Sequence, residues 1–194
     1  MGKIMAVVNQ KGGVGKTTST VNLASALGIA GKRVLLVDLD PQGNATSGLG
    51  RSKRQSGVSV YDLLIGEAKP LEAVIQTGFR NLDLLPSGIQ LAGAEIEMIE
   101  LPRRENRLKA ALASLRNLYD YILIDCPPAL GLLTLNALCA SDSLIVPIQC
   151  EFYALEGVSQ LISTIEKVKE RLNPGLYIDG VILSMFDEIG RAHV

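Results

Sequence analysis

A glycine- and lysine-rich run directly follows the first apolar segment of this chain. The apolar segment spans residues 4–8, and the run Asn-Gln-Lys-Gly-Gly-Val-Gly-Lys-Thr-Thr spans residues 9–18. In such a run glycines let backbone N–H groups close around a polyphosphate, a lysine meets the outer phosphates, and the next hydroxyl binds Mg²⁺. A helical pattern follows, and the positive N-terminal end of a helix favours phosphate. The sequence therefore predicts a nucleotide-binding loop between a strand and a helix.

The loop departs from the common pattern G-x-x-x-x-G-K-[ST] in a specific way. Gln10 stands where the first glycine is expected, and Lys11 adds a second lysine, while Gly15, Lys16 and Thr17 fill the closing positions. One terminal phosphate rarely needs two cations from one side, so the loop alone does not give Lys11 a role. The candidate nucleotide-binding residues are Lys11, Gly12, Gly13, Val14, Gly15, Lys16, Thr17 and Thr18.

Aspartates follow two further apolar runs. Asp38 and Asp40 come after the run at residues 33–37, and Asp125 ends the run at 121–124, ahead of two prolines. Ligands of parallel sheets bind outside the carboxyl ends of the strands, so we expect these carboxylates at the same edge as the loop. Asp125 has the arrangement of a Walker B aspartate, which holds Mg²⁺ directly or through water. A turn-capping aspartate is the structural alternative.

Short apolar runs alternate with longer amphipathic segments, which predicts an α/β fold with a mostly parallel sheet and helices on both faces. The combination with the loop indicates a single P-loop NTPase domain. The predicted strands are 4–8, 33–37, 82–85, 121–124, 143–148 and 177–183; the predicted helices are 17–30, 90–100, 104–118, 132–140 and 154–171, with loops and short helices over 41–77.

Composition excludes several classes of protein. Apolar residues make up 47% of the 194 residues, enough for one full core, yet no apolar run approaches the ~20 residues that span a bilayer. Met1 leads directly into the first strand, so we expect no signal peptide and a cytoplasmic protein. The three cysteines show no metal-ligand spacing and fit small buried residues in a reducing compartment. The net charge of −1 requires any DNA contact to be local.

The string from Lys11 to Thr17 resembles the deviant Walker A loop of the ParA/MinD family of P-loop ATPases, and residues 38–50 resemble its ParA/Soj branch. Residues 124–137 and 147–157 also look like partition ATPases, so the resemblance covers nearly the whole chain. It implies ATP and Mg²⁺ as cofactors, with Thr17, Asp40 and Asp125 serving the metal. It also implies that Lys11 crosses a dimer interface to the partner's nucleotide, acting in catalysis with Lys16 and Asp40.

The same resemblance implies a biological role. We expect an ATP-dependent homodimer that binds nucleoid DNA non-specifically, partitions a chromosome or plasmid, and is stimulated by a ParB-like centromere-binding protein. The local basic candidates, which could equally form a solvated surface, are Arg51, Lys53, Arg54, Arg103, Arg104, Arg107 and Lys109. Three alternatives stay open: a MinD-like membrane-cycling ATPase, a positioning ATPase for another cargo, and a P-loop metabolic ligase or kinase. An iron–sulfur role fits poorly, because Cys126 abuts Asp125 instead of standing well beyond it.

The end of the chain departs from the family. ParA-type chains continue past residues 184–187 through further strands and helices, whereas residues 188–194 do not resemble them. We expect an incomplete ATPase domain over residues 1–187 and a non-native tail over 188–194. The segments that contact the base and the DNA would then be largely missing.

Overall fold

The computed structural model describes residues 1–52, 57–150 and 154–185, with side chains from residue 158 onward in the last range. Within these ranges seven strands form one sheet. They are β1 (Lys3–Val7), β2 (Val34–Asp38), β3 (Ile75–Gln76), β4 (Leu82–Leu85), β5 (Tyr121–Asp125), β6 (Ser143–Gln149) and β7 (Tyr177–Ser184).

The strand order is β3-β4-β2-β5-β1-β6-β7. Every neighbouring pair is parallel except β3 with β4. The strand before the loop, β1, and the strand that ends at Asp38, β2, therefore both pair with β5, which ends at Asp125. Asp125 is in register with Val7 on one side and Asp38 on the other, which places all three strand ends at one edge.

Helices connect the strands and cover both faces of the sheet. They are α1 (Lys16–Ile29), α2 (Asn44–Gly48), α3 (Val60–Ile65), α4 (Pro70–Ala73), α5 (Leu91–Glu97), α6 (Arg107–Ala113), α7 (Leu132–Ala140) and α8 (Ala154–Arg171), with 3₁₀ turns at Met98–Glu100 and Arg104–Asn106. No helix in the described ranges is long and apolar enough to cross a bilayer.

Two apolar clusters pack on opposite faces of the sheet because successive strand side chains point to opposite sides. In β2, Leu35 and Val37 join one cluster and Val34 and Leu36 the other, and all four are buried. Continuous apolar strands of this kind are characteristic of a parallel sheet covered on both faces. The α/β prediction is confirmed.

Most element positions agree with the sequence prediction, and some boundaries do not. The strand at 82–85 and the helices at 132–140 and 154–171 are as predicted. The short antiparallel β3 was not foreseen, and the helix predicted for 104–118 begins as a 3₁₀ turn and ends at Ala113. Its last turn tightens because the N–H groups of Leu115 and Leu118 donate to carbonyls three residues earlier.

The expected burial of the three cysteines is only partly confirmed, and some of the basic and C-terminal residues named above are not described by the structure. Cys126 and Cys139 are buried as expected, but Cys150 is exposed because it follows directly on the end of β6, so the prediction of burial is wrong for it. Lys53, Arg54 and residues 188–194 lie outside the described ranges.

Candidate nucleotide-binding site

The glycine-rich loop joins β1 to α1 as the sequence predicts. Gly13 has φ 75° and Gly15 has φ 84°, a left-handed conformation that side-chain-bearing residues rarely adopt. Gly15 is also the N-cap residue of α1, directly before its first residue Lys16, so the left-handed turn lies where the helix leaves its first N–H groups without helical partners. Unpaired N–H groups at a helix start form an anion site.

Residues from distant strands hold the loop in place. The buried Asn9 donates from Nδ2 to the Pro147 carbonyl at 2.7 Å and accepts at Oδ1 from the Lys11 N–H at 3.0 Å. Ser184, at the end of β7, donates its hydroxyl to the Val14 carbonyl at 2.8 Å. The sequence analysis missed these two supports. For the Asn9 contact, the one available sequence signal was a polar residue directly after a buried strand. The Ser184 contact depends on the order of the strands, which the sequence does not show.

Lys16 is buried and its Nζ donates to the carbonyl of Lys11 at 3.0 Å. Burial lowers the pKa of this ammonium, and the nearby charge of Asp125 partly offsets the effect. The two lysines of the loop therefore differ in placement: the Lys16 side chain turns into the loop and is buried, whereas the Lys11 side chain is partly exposed.

Asp125 is fully buried at the end of β5 and accepts two hydroxyl hydrogen bonds. Thr17 Oγ1 donates to Oδ2 at 2.7 Å, and Thr20 Oγ1 lies 3.1 Å from Oδ1. Burial raises the pKa of Asp125 to about 7, opposed by the Thr17 and Thr20 hydrogen bonds and supported by the neighbouring charge of Asp38. Thr20 was not among the predicted residues, although it lies three positions after Thr17 on the same face of α1.

Asp38 is fully buried and organises its own loop. Its Oδ1 accepts from the Asp40 N–H at 3.2 Å, and its Oδ2 accepts from both the N–H and the hydroxyl of Thr46 at 2.7 Å. Burial raises the pKa of Asp38 to about 6, and the bonds from Thr46 oppose that rise. Asp38 therefore acts on the position of Asp40, as an orienting group does.

The peptide of Asp40 is held from both sides. Asp38 accepts its N–H, and Ser87, which follows β4, donates a hydroxyl to its carbonyl at 2.8 Å. The Ser87 N–H in turn donates to Thr46 Oγ1 at 3.0 Å, so one chain of hydrogen bonds links the ends of β2 and β4. The Asp40 carboxylate accepts from the Gln42 N–H at 2.8 Å and lies close enough to influence the charges of Lys16 and Asp125.

The three predicted metal ligands converge on one edge, where Thr17 and Asp125 are in direct contact. In the described part of the chain, no three carboxylate, thiol or imidazole side chains gather closely enough to hold a metal ion. A hydroxyl with one or two carboxylates suits Mg²⁺, which keeps several waters and takes its other ligands from substrate phosphates. The donor set therefore fits Mg²⁺ carried in with a nucleotide.

Comparison with known proteins gives concordant matches. A family model described as an AAA domain matches residues 2–178. The sporulation initiation inhibitor protein Soj of Bacillus subtilis is 58% identical over 96% of this chain and 74% of its own length. The chromosome partitioning protein ParA of Caulobacter vibrioides is 50% identical over 95% of this chain and 70% of its own. A solved structure named cobyrinic acid a,c-diamide synthase, from Mycobacterium smegmatis with bound ADP and magnesium, is 46% identical with a TM-score of 0.94, covering 97% of this chain and 77% of its own.

Proposed function

Since this chain belongs to the family of the Soj and ParA chromosome-partitioning ATPases, we propose that it hydrolyses ATP with Mg²⁺ as a dimerising partition ATPase. The observation that carries the proposal is the deviant loop itself, which lies at the same edge of the sheet as Asp38 and Asp125. In this loop Lys16 is buried and turned inward, and Lys11 is partly exposed. The bound ADP and magnesium of the solved relative support the choice of cofactors.

Each residue has a proposed part in the reaction. The N–H groups of residues 12–18 and the Lys16 ammonium bind the phosphates, while Thr17 and Asp125 hold Mg²⁺ directly or through water. Asp40 also serves the metal and orients the attacking water, since phosphoryl transfer needs positioning and charge stabilisation more than a strong base. Asp38 and Asp125 lie side by side at the ends of neighbouring strands, and burial raises the pKa of both, so a cation bound there would favour their ionised forms.

Lys11 is proposed to act across a dimer interface. Its N–H is held by Asn9 and its carbonyl by Lys16, so the loop fixes the backbone from which its side chain extends. A cation delivered from the partner subunit would neutralise charge as the phosphate bond breaks, as an arginine finger does elsewhere. ATP binding and dimerisation would then be coupled.

DNA binding, ParB-like stimulation, nucleoid localisation and partition of a chromosome or plasmid are proposed from the family. The local basic groups give them limited support. Arg51, Arg104 and Arg107 each donate to a backbone carbonyl, of Gln76, Ile99 and Leu64 respectively, which assigns them structural contacts. We therefore propose that the main DNA contacts lie outside these groups.

We also propose that the ATPase domain covers residues 1–187 and that residues 188–194 are a non-native tail.

The name of the solved relative raises a second candidate, a metabolic synthase that uses the same loop. Its sequence identity of 46% and TM-score of 0.94 make this candidate worth testing directly. A synthase would need Lys16 and Asp125 but has no use for a lysine that reaches a second subunit. Lys11 therefore separates the two functions.

The deciding experiment measures oligomeric state by light scattering with ADP, ATP or a slowly hydrolysed ATP analogue, on wild type, Lys11→Ala and the exposed control Lys32→Ala. We expect ATP to dimerise the wild type and Lys32→Ala. Lys11→Ala should still bind ATP but lose stable dimerisation and turnover. A wild type that stays monomeric with ATP, and a Lys11→Ala protein of normal turnover, would contradict the proposal and favour the synthase.

A further inference from the structure

A second concave surface lies between α7 and α8, with a volume of about 770 Å³. We call it the α7–α8 groove. Four partly buried leucines line it: Leu130 just before α7, Leu132 at its start, Leu135 one turn later, and Leu172 just after α8. An open apolar groove between two helices is the form that binds the apolar face of a third helix.

The apolar lining continues onto the outer surface. Ile99 lines the groove and is 56% exposed, and Ile96, three residues earlier, is 74% exposed. Residues three apart lie on the same side of a helical segment, so the two isoleucines extend one apolar patch. Contiguous exposed apolar surface next to polar residues is typical of an interaction site.

The charged groups of the groove are mainly cationic. Arg104, Lys167 and Arg171 line it, and all three are exposed. Arg104 donates from Nη1 to the Ile99 carbonyl at 2.7 Å, which fixes that guanidinium at the edge. Lys167 and Arg171 are four residues apart on α8 and therefore one above the other on the same face.

Glu95 is the only acidic side chain among the groove residues that the structure describes. Its Oε1 accepts from the Leu133 N–H at 3.0 Å, in the first turn of α7. A carboxylate at a helix N-terminus is stabilised by the helix dipole, so Glu95 is committed to holding α7. The surface offered to a ligand is thus apolar at the base and positive at the edge.

We propose that the α7–α8 groove binds an acidic amphipathic helix of a partner protein. Its aliphatic side chains, spaced i, i+3 or i+4, and i+7, fill the leucine-lined base, and its carboxylates face Lys167 and Arg171. The wall from Thr164 to Arg171 is about 10 Å long at 1.5 Å per residue, which matches two turns of a ligand helix. The i,i+4 spacing of the two α8 cations fits carboxylates with the same helical spacing.

The inference does not depend on ATP hydrolysis, since none of the groove residues belongs to the proposed nucleotide site. Leu130 and Leu132 do lie on the segment that follows Asp125. A bound partner would therefore contact the chain a few residues beyond a proposed metal ligand.

The test uses fluorescence anisotropy with the full-length protein and labelled 14-residue helical peptides. Three acidic peptides carry leucines at the spacings i/i+3/i+7, i/i+4/i+7 and i/i+4/i+8 with glutamates elsewhere on the ligand face. Three basic peptides replace those glutamates with lysines. We expect at least one acidic peptide to bind in the micromolar range and its basic counterpart to bind about tenfold more weakly or not at all.

Protein variants locate the binding. Lys167→Glu with Arg171→Glu should weaken the acidic peptide about tenfold, and Leu135→Ala should weaken it without changing the preference for acidic peptides. Lys169→Glu on the same helix, outside the groove, should leave affinity within about twofold. Thermal melts confirm that each variant is folded.

Three results of the peptide assays would overturn the inference: no acidic peptide binding at millimolar concentration, equal binding of acidic and basic peptides, or equal loss of affinity in Lys169→Glu. Vesicles of phosphatidylglycerol that bind more tightly than the peptides, with the same dependence on Lys167 and Arg171, would identify a lipid surface as the occupant instead.

Discussion

Thr46→Val is expected to destabilise the protein although it preserves the shape of the side chain. The Thr46 hydroxyl donates to Asp38 Oδ2 at 2.7 Å and accepts from the Ser87 N–H at 3.0 Å, and Thr46 is buried. Valine can do neither. Asp38 keeps the bond from the Thr46 backbone N–H, whereas the Ser87 N–H loses its partner in a buried position.

The magnitude follows from those two bonds. Loss of a hydrogen bond to a charged group costs about 1.5–3 kcal/mol, and an orphaned buried N–H about 1–3 kcal/mol. Because Asp38 is still partly satisfied and the loop can relax, we expect the lower part of the sum, about 3 kcal/mol in the free energy of unfolding. For a domain of this size that lowers Tm by roughly 6–12 °C.

Urea unfolding at neutral pH with circular dichroism measures this change. Thr164→Val is the matched control, because its hydroxyl donates to the Gln160 carbonyl one turn earlier in its own helix, at an exposed hydrogen bond, and it should cost less than about 0.5 kcal/mol. A second readout is turnover: Thr46→Val should lower kcat more than ATP affinity, since Asp40 is held through this network. If Thr46→Val is no less stable than the control, the hydrogen-bond chain from β2 to β4 contributes nothing and the reasoning fails.

Two further predictions concern other parts of the fold. Gly28→Ala should destabilise the protein by about 1–3 kcal/mol in thermal melts, because the new methyl group would overlap the Arg80 carbonyl, a strain larger than the gain in helix propensity. The control is Gly48→Ala, whose methyl group meets only ordinary contacts and which should be neutral or stabilising. Equal effects of the two substitutions would contradict this account. Backbone and side-chain hydrogen bonds from Arg33 lower the pKa of Asp120. The ionised Asp120 therefore stabilises the folded protein fully above about pH 4, and this contribution is lost as the pH falls through the lowered pKa of the folded state. Acid unfolding curves should therefore be shallower below pH 4 for Asp120→Asn, and superimposable curves would refute the assignment.

The parts of the fold that were predictable from sequence are those encoded locally. In the loop at 9–18, Gly13 and Gly15 stand at the positions with positive φ, and α7 and α8 begin and end where the apolar pattern does. The edge shared by the loop, Asp38 and Asp125 followed from the rule for parallel sheets. The roles assigned to Lys11, Asp40 and the metal ligands remain predictions.

The missed contacts depend on which strands are neighbours. Ser87 reaches Asp40 because β4 lies next to β2, and Ser184 reaches Val14 because β7 lies beside β6 at the same edge. A serine after a strand carries no local signal of either contact. The early end of α6 likewise reflects a distant partner, since the Arg116 carbonyl accepts from the Gly2 N–H and its side chain donates to the Gly2 carbonyl.

The position of β5 between β2 and β1 has a consequence for how the protein is made. Thr17 and Asp125 are 108 positions apart, and their contact requires β5 to enter between two strands synthesised much earlier. At about 5–20 residues per second, a ribosome needs roughly 5–20 s to cover that distance. During this interval the nascent loop lacks its contact with Asp125, so a nucleotide that binds the loop can do little to stabilise the nascent chain. Ligand-dependent protection of nascent chains from protease should therefore begin only once β5 has emerged from the ribosome.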